Sequence, residues 1–363
     1  MTESVDFVVD RSDLRRTAFV PGRHSPATPL ESGQVLLRID RFAFTANNVT
    51  YAAVGDLMGY WKFFPADGGW GRIPVWGFAD VVASRHPDVA EGERLYGYLP
   101  MSTHVIVSPD RVSAAGFVDA SPHRAALPPV YNGYTRVAAD PGHDAAREAE
   151  AALFRPLFTT AFLLDDFLAE SGFFGARSVV LSSASSKTAL GLAFLLSAGR
   201  REQVDILGLT SPAHGPFVAR TGYYARTMPY ADVRALPREQ PTVFVDFAGN
   251  GEVLGAVHRH LGEVLRYSCR VGLTHWDRMA ADEGLPGPAP VLFFAPDRVR
   301  ERTADWGASG LQTRVGEALG RFLGSATAWL RVVEGRGRTA VEAVYRTMLD
   351  GKVDPAEGHV LSL

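Results

Sequence analysis

Two groups of residues in this sequence carry chemistry that ordinary packing does not require. The first is the run Ser182, Ser183, Ala184, Ser185, Ser186, Lys187, Thr188. Small side chains leave backbone N–H groups open, hydroxyls can donate to phosphate oxygens, and Lys187 adds a full charge. A dinucleotide turn usually reads G-x-G-x-x-G, and this run has no glycine. Taken alone it reads either as a phosphate turn or as a plain strand–turn–helix. The second group lies in residues 47–70, NNVTYAAVGDLMGYWKFFPADGGW, which is dense in Asn, Tyr, Trp and Phe and does not alternate. Such a loop either plugs a core or walls a substrate pocket. Its hydrogen-bonding side chains include the amides of Asn47 and Asn48 and the phenols of Tyr51 and Tyr60.

Other chemistries fail on residue type or spacing. The single cysteine, Cys269, excludes an intramolecular disulfide and a cysteine-rich zinc site. His258 and His260 lie two apart, which suits a solvated helix face better than a metal site. An S-x-x-K pair ending at Lys187 would need serine at position 184, which is alanine, and G-x-S-x-G is absent, so serine acyl chemistry is not expected. A net charge of −3 offers no basic excess for nucleic acid. The start, MTESVDFVVDRSDLRR, lacks a signal-peptide core, and the longest apolar run, 189–198, is too short to cross a bilayer. With 46% hydrophobic and 21% charged residues, the expectation is a soluble cytoplasmic protein with no membrane partner.

The elements that must position these residues follow from periodicity. Residues 1–125 alternate or run apolar between Gly and Pro, as in VDFVVD, GQVLLRIDRFAFT and IPVWGFADVVAS, which predicts a β-rich domain. Only the stretch around 48–55 hints at a helix there. From Glu148 the spacing turns helical, with Leu153, Leu157, Phe158, Phe162, Leu163 and Phe167 on one face. Strand 178–181 and helix 187–199 follow. Next come strand 204–209, helix 215–221, a short strand near Ala225, strand 242–249, helix 251–261 and strands 263–271 and 290–294. Alternating strands and helices at this pitch predict a doubly wound parallel sheet. A terminal helix in 339–351 stops at Gly351, and HVLSL closes the chain as a strand returning to the first domain.

The order of these parts resembles the medium-chain dehydrogenase/reductase superfamily over nearly the whole chain. GQVLLRIDRFAFTANNVTYAAVGD is similar to its first strand pair and substrate loop, IPVWGFADVVAS to its P-x-x-x-G-x-G-x-V segment, and VAEGERLYGYL to its G-D-R-V-x-G segment. RTGYYARTMPY (220–230) resembles L-G-A-D-x-V-x-x-Y, and TVFVDFAGNGEVLGA resembles the strand before the nicotinamide site. More narrowly, ANNVTYAAVGDLMGYWKFFPA, PPVYNGY and VVLSSASSKTALGLA look like the branch catalogued as domain of unknown function 2855.

The resemblance implies an α/β chain. It would have a GroES-like β-rich substrate domain over 1–150, completed by about 325–363, and a Rossmann NADP-binding domain over 151–324. It implies no catalytic zinc, because the early Cys, the Gly-His-Glu segment and the later Cys or Asp of the zinc branch are missing and Ala46–Asn48 stands at the Cys-His position. Zinc-free relatives reduce quinones or conjugated C=C bonds with NADPH. On that pattern Tyr51 or Tyr60 donates a proton and Asn47 or Asn48 binds a carbonyl oxygen. The cofactor would meet Ser183, Ala184, Ser185, Ser186, Lys187 and Thr188 at the turn, with Thr160 (beside Thr159), Phe247 and Phe294 near the nicotinamide. Strand 204–209 leads to Thr210 and Ser211 with no acid to repel a 2′-phosphate, so NADP is expected over NAD, with Tyr224, Lys187 and His214 as supplements. Lys187 can equally neutralise the pyrophosphate or face the substrate. A different class, a non-redox enzyme or ligand-binding protein on a retained fold, stays open because the turn lacks glycine. A polyketide-associated enoyl reductase would differ only in substrate. The expected partner is a small molecule, and the chain is expected to be a monomer or a homodimer.

Overall fold

The computed structural model describes residues 4–271 and 284–363. The chain forms two compact units, one of Met1–Leu153 with Arg331–Leu363 and one of Phe154–Leu330.

In the first unit, strand Val5–Asp10 is flanked by antiparallel Thr17–Pro21 and Trp70–Gly71. A nine-stranded sheet surrounds strand Val35–Phe44, VLLRIDRFAF, whose ends bury continuous apolar runs while Arg38 faces water. One edge of this strand takes Pro74–Ser84 in antiparallel register. The other takes His104–Val107 along its first half and the closing strand Glu357–Ser362 along its second, with Val360 opposite Ala43. Gly77 is required at this pairing, because a Cβ there would lie 2.2 Å from the Arg41 carbonyl oxygen. Phe7, Phe42, Phe44 and, from helix Gly337–Leu349, Tyr345 share one core. Residues 46–53 form a short helix, and a turn at Tyr60–Lys62 follows it.

The second unit is a parallel sheet in the spatial order Arg226–Pro229, Asp205–Thr210, Ser178–Leu181, Thr242–Asp246, Leu265–Arg270, Val291–Leu292. In chain order that is 3-2-1-4-5-6, the Rossmann arrangement, and the strand order reverses between Ser178–Leu181 and Thr242–Asp246. A cleft for a ligand opens at such a reversal, outside the carboxyl ends of the strands. The strands read as continuous apolar runs because both faces of a parallel sheet are covered; Val179, Val180, Leu181, Val243, Phe244 and Val245 are all buried. Helix Glu148–Glu170 leads into this sheet, with Pro156 inside it.

Two sequence expectations need correction here. Residues 295–326 form a long helix that the periodicity did not predict. Its charged surface and its glycines at 307, 310, 316, 320 and 324 hide the apolar stripe of Leu311, Val315, Leu319 and Phe322, and it kinks at Gly307, where φ is 73°. The last strand is also shorter than 290–294. It covers only Val291–Leu292, and Phe294 instead precedes the long helix as its N-cap residue.

Candidate functional site

The serine run sits at the strand-order reversal. Ser182 is fully buried; its N–H donates to the Val245 carbonyl (3.1 Å) and its hydroxyl donates to Asp246 Oδ1 (2.6 Å). The same hydroxyl accepts from the N–H groups of Phe247 (2.9 Å) and Ala248 (3.0 Å). It therefore fastens the end of the first strand to the end of the fourth. Asp246 Oδ1 also accepts from Ala248 and Gly249, while Oδ2 has no hydrogen-bond partner among the described residues. Burial pushes this carboxyl above the usual carboxylate range, against the Ser182 hydroxyl and the Gly249 and Ala248 N–H groups, which pull it down.

Ser183 has φ 48°, a left-handed conformation that glycine adopts without cost. Its N–H donates to the Tyr230 hydroxyl (3.0 Å), and the Ala184 N–H donates to the Leu209 carbonyl (3.0 Å). Ser186 caps helix Lys187–Gly199, its hydroxyl accepting from the Ala189 N–H (3.4 Å). Ser185 Oγ meets His214 Nδ1 at 2.9 Å, and Thr210 Oγ1 lies 3.5 Å from Ser185 Oγ. Ser185, Ser186, Lys187, Thr188, Ser211 and His214 are half-buried, whereas Ala184 and Thr210 are buried. The turn and the end of the second strand thus gather the hydroxyls of Ser183, Ser185, Ser186, Thr188, Thr210 and Ser211, a lysine and an imidazole, with no carboxylate at the end of the second strand.

Within the first unit, aromatic side chains from five separate segments converge. Tyr51 comes from the short helix, Tyr60 and Phe63 from the turn after it, Trp76 and Tyr98 from neighbouring strands, and Tyr131 from the turn Pro129–Tyr131. The Tyr51 and Tyr60 rings stand 4.4 Å apart, Tyr98 and Tyr131 4.9 Å, and Trp76 and Tyr98 4.9 Å. The hydroxyls of Tyr60 and Tyr131 are 3.3 Å apart, and the Tyr131 ring stands edge-on to Tyr51 with centroids 6.4 Å apart. Tyr51 and Tyr98 are buried, while Tyr60, Trp76 and Tyr131 are half-buried. Burial pushes the phenols of Tyr51, Tyr98 and Tyr131 well up, so all are neutral near pH 7.

The structure gives some expected site residues other duties. The Asn48 amide serves the fold: Oδ1 accepts from the Thr45 N–H (2.8 Å) and hydroxyl (3.1 Å), and Nδ2 donates to the Pro74 carbonyl (2.9 Å). Asn47 is half-buried and sits beside Tyr51. The Tyr224 hydroxyl donates to the Ala184 carbonyl (2.9 Å), so it shapes the turn from below. Thr159 and Thr160 donate back along their helix to Arg155 (2.7 Å) and Pro156 (3.4 Å). Phe247 is half-buried just beyond Asp246, and Phe294 stands off the sheet. Sequence reasoning missed Trp76, Tyr98, Tyr131 and Tyr230. The segment PPVYNGY contains Tyr131, but it takes the folded chain to set Trp76, Tyr98 and Tyr131 against one another and the Tyr230 hydroxyl against the Ser183 N–H. Among the described residues no three His, Cys, Asp or Glu side chains gather as a metal site, and no helix is long and apolar enough to cross a membrane.

The chain carries a β-rich GroES-like unit and a Rossmann unit, the two domain folds of medium-chain dehydrogenases/reductases. Residues 42–354 match the family described as "Protein of unknown function (DUF2855)", and the chain belongs to that family. No curated protein matches the sequence. Among solved structures, the CurF ER cyclopropanase from the curacin A biosynthetic pathway is similar with a TM-score of 0.64 at 16% identity, covering 99% of each chain. The CurK enoyl reductase is similar with a TM-score of 0.56 at 16% identity, again over 99% of each chain. CurA from Vibrio vulnificus, in complex with NADPH, gives 0.58 at 12% identity over 99% of this chain and 98% of that one. At these identities the likeness is one of fold.

Proposed function

We propose that the protein is a zinc-independent, NADPH-dependent reductase of an activated C=C bond or a quinone-like carbonyl. The observation that carries this reading is the hydroxyl-rich turn at the strand-order reversal, with no acid at the end of the second strand. Ser185, Ser186, Lys187 and Thr188 hold the pyrophosphate. Thr210, Ser211 and His214 hold the 2′-phosphate, where an NAD enzyme places a carboxylate for the ribose hydroxyl. When bound, the reduced nicotinamide supplies hydride to the substrate. Tyr51 then gives a proton, and the Asn47 amide donates to the oxygen on which negative charge develops. Tyr60 and Trp76 flank the substrate with flat apolar surface. The neighbours named as an enoyl reductase and as an NADPH complex support the reading. The protein acts on a small molecule in the cytoplasm, as a monomer or a homodimer.

The test is titration of the protein's own fluorescence with NADPH and NADH, followed by NADPH oxidation over a panel of enones and quinones. Tighter binding of NADPH than NADH with turnover of a panel member is the expected result. Binding of neither nucleotide overturns the reading.

A second reading, a ligand-binding or non-redox protein on the same fold, is favoured by one specific feature. The N–H groups of Ser183, Ala184 and Ala189, which a phosphate turn can offer to its ligand, are here taken by Tyr230, Leu209 and Ser186. The nucleotide titration separates the two.

A further inference from the structure

We propose that His214, held by Ser185, is the side chain that selects NADPH over NADH, and that it does so by carrying a proton against the 2′-phosphate. The proposal rests on the reductase reading and makes cofactor choice at that site dependent on pH.

The end of the second strand lacks the usual charge of either sign. An NAD enzyme places a carboxylate there, and an NADP enzyme accommodates the phosphate with an arginine. Residues 202–219 hold no lysine or arginine, and residues 206–231 hold no acid. Between Thr210 and Arg220 the one ionisable side chain is His214. The fold delivers it to the turn. The His214 N–H donates to the Ser211 carbonyl (3.1 Å), which folds the chain back after the strand, and Nδ1 meets Ser185 Oγ at 2.9 Å. Thr210 Oγ1 donates weakly to the same oxygen at 3.5 Å. Phe217, in the helix that follows, packs edge-on against Trp329 with ring centroids 5.7 Å apart.

The ionisable groups on the elements around His214 are mainly cations and phenols. Lys187 opens the helix after the turn, and Arg220 and Arg226 lie on the helix and strand that follow His214. Tyr224 and Tyr230 bond to the Ala184 carbonyl and the Ser183 N–H. Residues 322–330, around Trp329, carry no charge. Of the acids, Asp205 stands at the far end of the second strand, Asp232 is exposed beyond the third, and Asp246 bonds to Ser182 on the other side of the first.

Protonation changes what these groups offer. With the proton of the neutral ring on Nε2, Nδ1 accepts from Ser185, and the serine has no hydrogen left for a ligand. An imidazolium donates from Nδ1 to Ser185 Oγ, which frees the serine hydrogen for a phosphate oxygen, while Nε2–H presents a charged donor. A dianionic 2′-phosphate therefore binds with uptake of a proton from solvent, and no covalent bond of the nucleotide breaks. NADH has a hydroxyl in that place and gains far less from the charge.

The test uses the full-length protein at constant ionic strength. Fluorescence titration gives the ratio of NADPH to NADH affinity at pH 7 and pH 9, a range in which the 2′-phosphate is largely dianionic. The ratio is expected to fall about tenfold on going to pH 9, the worth of one charge-assisted hydrogen bond. Calorimetry at pH 7.5 in two buffers of different ionisation enthalpy is expected to show net proton uptake with NADPH and none with NADH. In His214→Gln the ratio is expected to be low at both pH values and the uptake lost; in His214→Arg the ratio is expected to be high at both. A His214→Gln variant that keeps the wild-type slope overturns the proposal. A wild-type ratio that is flat with pH also overturns it and leaves selection to a cation that stays charged throughout, as a lysine does. In protein labelled with ¹⁵N-histidine, the His214 Nδ1 resonance, assigned by its loss in His214→Gln, is expected to shift in Ser185→Ala; an unshifted resonance overturns the part given to Ser185. Binding of neither nucleotide removes the cofactor reading and this inference with it, whereas binding of both with a flat ratio removes this inference alone.

Discussion

Tyr51 and Ser211 are the two side chains on which the functional reading turns most directly. Tyr51 is buried against the rings of Tyr60 and Tyr98, and loss of a positioned general acid costs on the order of 100-fold or more. Tyr51→Phe is expected to lower kcat for enone reduction by about that factor, read from the decay of NADPH absorbance. Ser211 follows the second strand, half-buried at the position where a carboxylate selects the ribose diol. Ser211→Asp places a negative charge against a 2′-phosphate. The ratio of NADPH to NADH affinity should fall at least tenfold, about 1.4 kcal/mol, in a fluorescence titration. An unchanged ratio would remove Ser211 from the phosphate site. Both residues stood out as candidates in the sequence, because each lies in a local segment whose chemistry shows in its residue types. Tyr131 did not, because nothing local ties it to Tyr51.

The strand–turn–helix 178–199 is the element whose backbone is most at odds with its residues. Ser183 holds a left-handed φ of 48° that costs an L-residue about 1–2 kcal/mol. The Tyr230 hydroxyl accepting its N–H helps to keep it there. Ser183→Gly is expected to stabilise the protein by up to about 1 kcal/mol, the gain tempered by the entropy glycine adds to the unfolded chain. Tyr230→Phe leaves a half-buried N–H without its acceptor and is expected to destabilise by about 1–2 kcal/mol. Urea unfolding of the two variants measures both. A Ser183→Gly variant less stable than wild type would show that the serine side chain contributes more than its backbone costs. The sequence showed that glycine was missing here. The hydroxyl of Tyr230, 47 positions away, supplies a partner for the strained residue, and that contact depends on the third strand packing beside the second.

At the scale of the molecule, the two units differ in what acid does to them. In the first, burial, then Arg72 and Arg23, push the His24 imidazole down to about 4. The folded chain therefore binds fewer protons than the unfolded chain, so this contribution is fully present above about pH 6.5 and is lost as pH falls through 4. In the second, Arg302 and Arg298 hold the Glu170 carboxyl down to about 2. That contribution is fully present above about pH 4.5 and is lost as pH falls towards 2. Glu170 is exposed at the surface, so water and salt weaken its effect. Arg302 and Arg298 also pair with Asp166, at 2.6 and 2.8 Å, and so tie the long helix 295–326 to helix 148–170. Acidification from pH 7 should weaken the first unit before the second. Hydrogen exchange at pH 6, 5 and 3.5 checks the order, with His24→Gln flattening the first step and Glu170→Gln the second. Loss of the second unit first would contradict it.

The class of fold, the position of the turn, and the exclusion of disulfide and cysteine-rich zinc chemistry were all readable from the residues alone. Those properties are written in local residue types and in periodicity, as in the apolar run Val179–Val180–Leu181 followed by small residues and a helix. Which of the candidate side chains have their polar atoms taken up within the fold depends on contacts between distant parts of the chain. Asn48 and Tyr224 have the residue types of binding groups, but their polar atoms are taken up by Thr45, Pro74 and Ala184. Trp76 and Tyr98 lie opposite each other on the antiparallel strands 74–84 and 94–100, and Tyr131, from a turn some thirty residues further on, stacks against Tyr98 in the folded chain. Hydrogen bonding is short-ranged and directional, so what a polar side chain can do depends on which distant atoms the folded chain sets within about 3 Å of it.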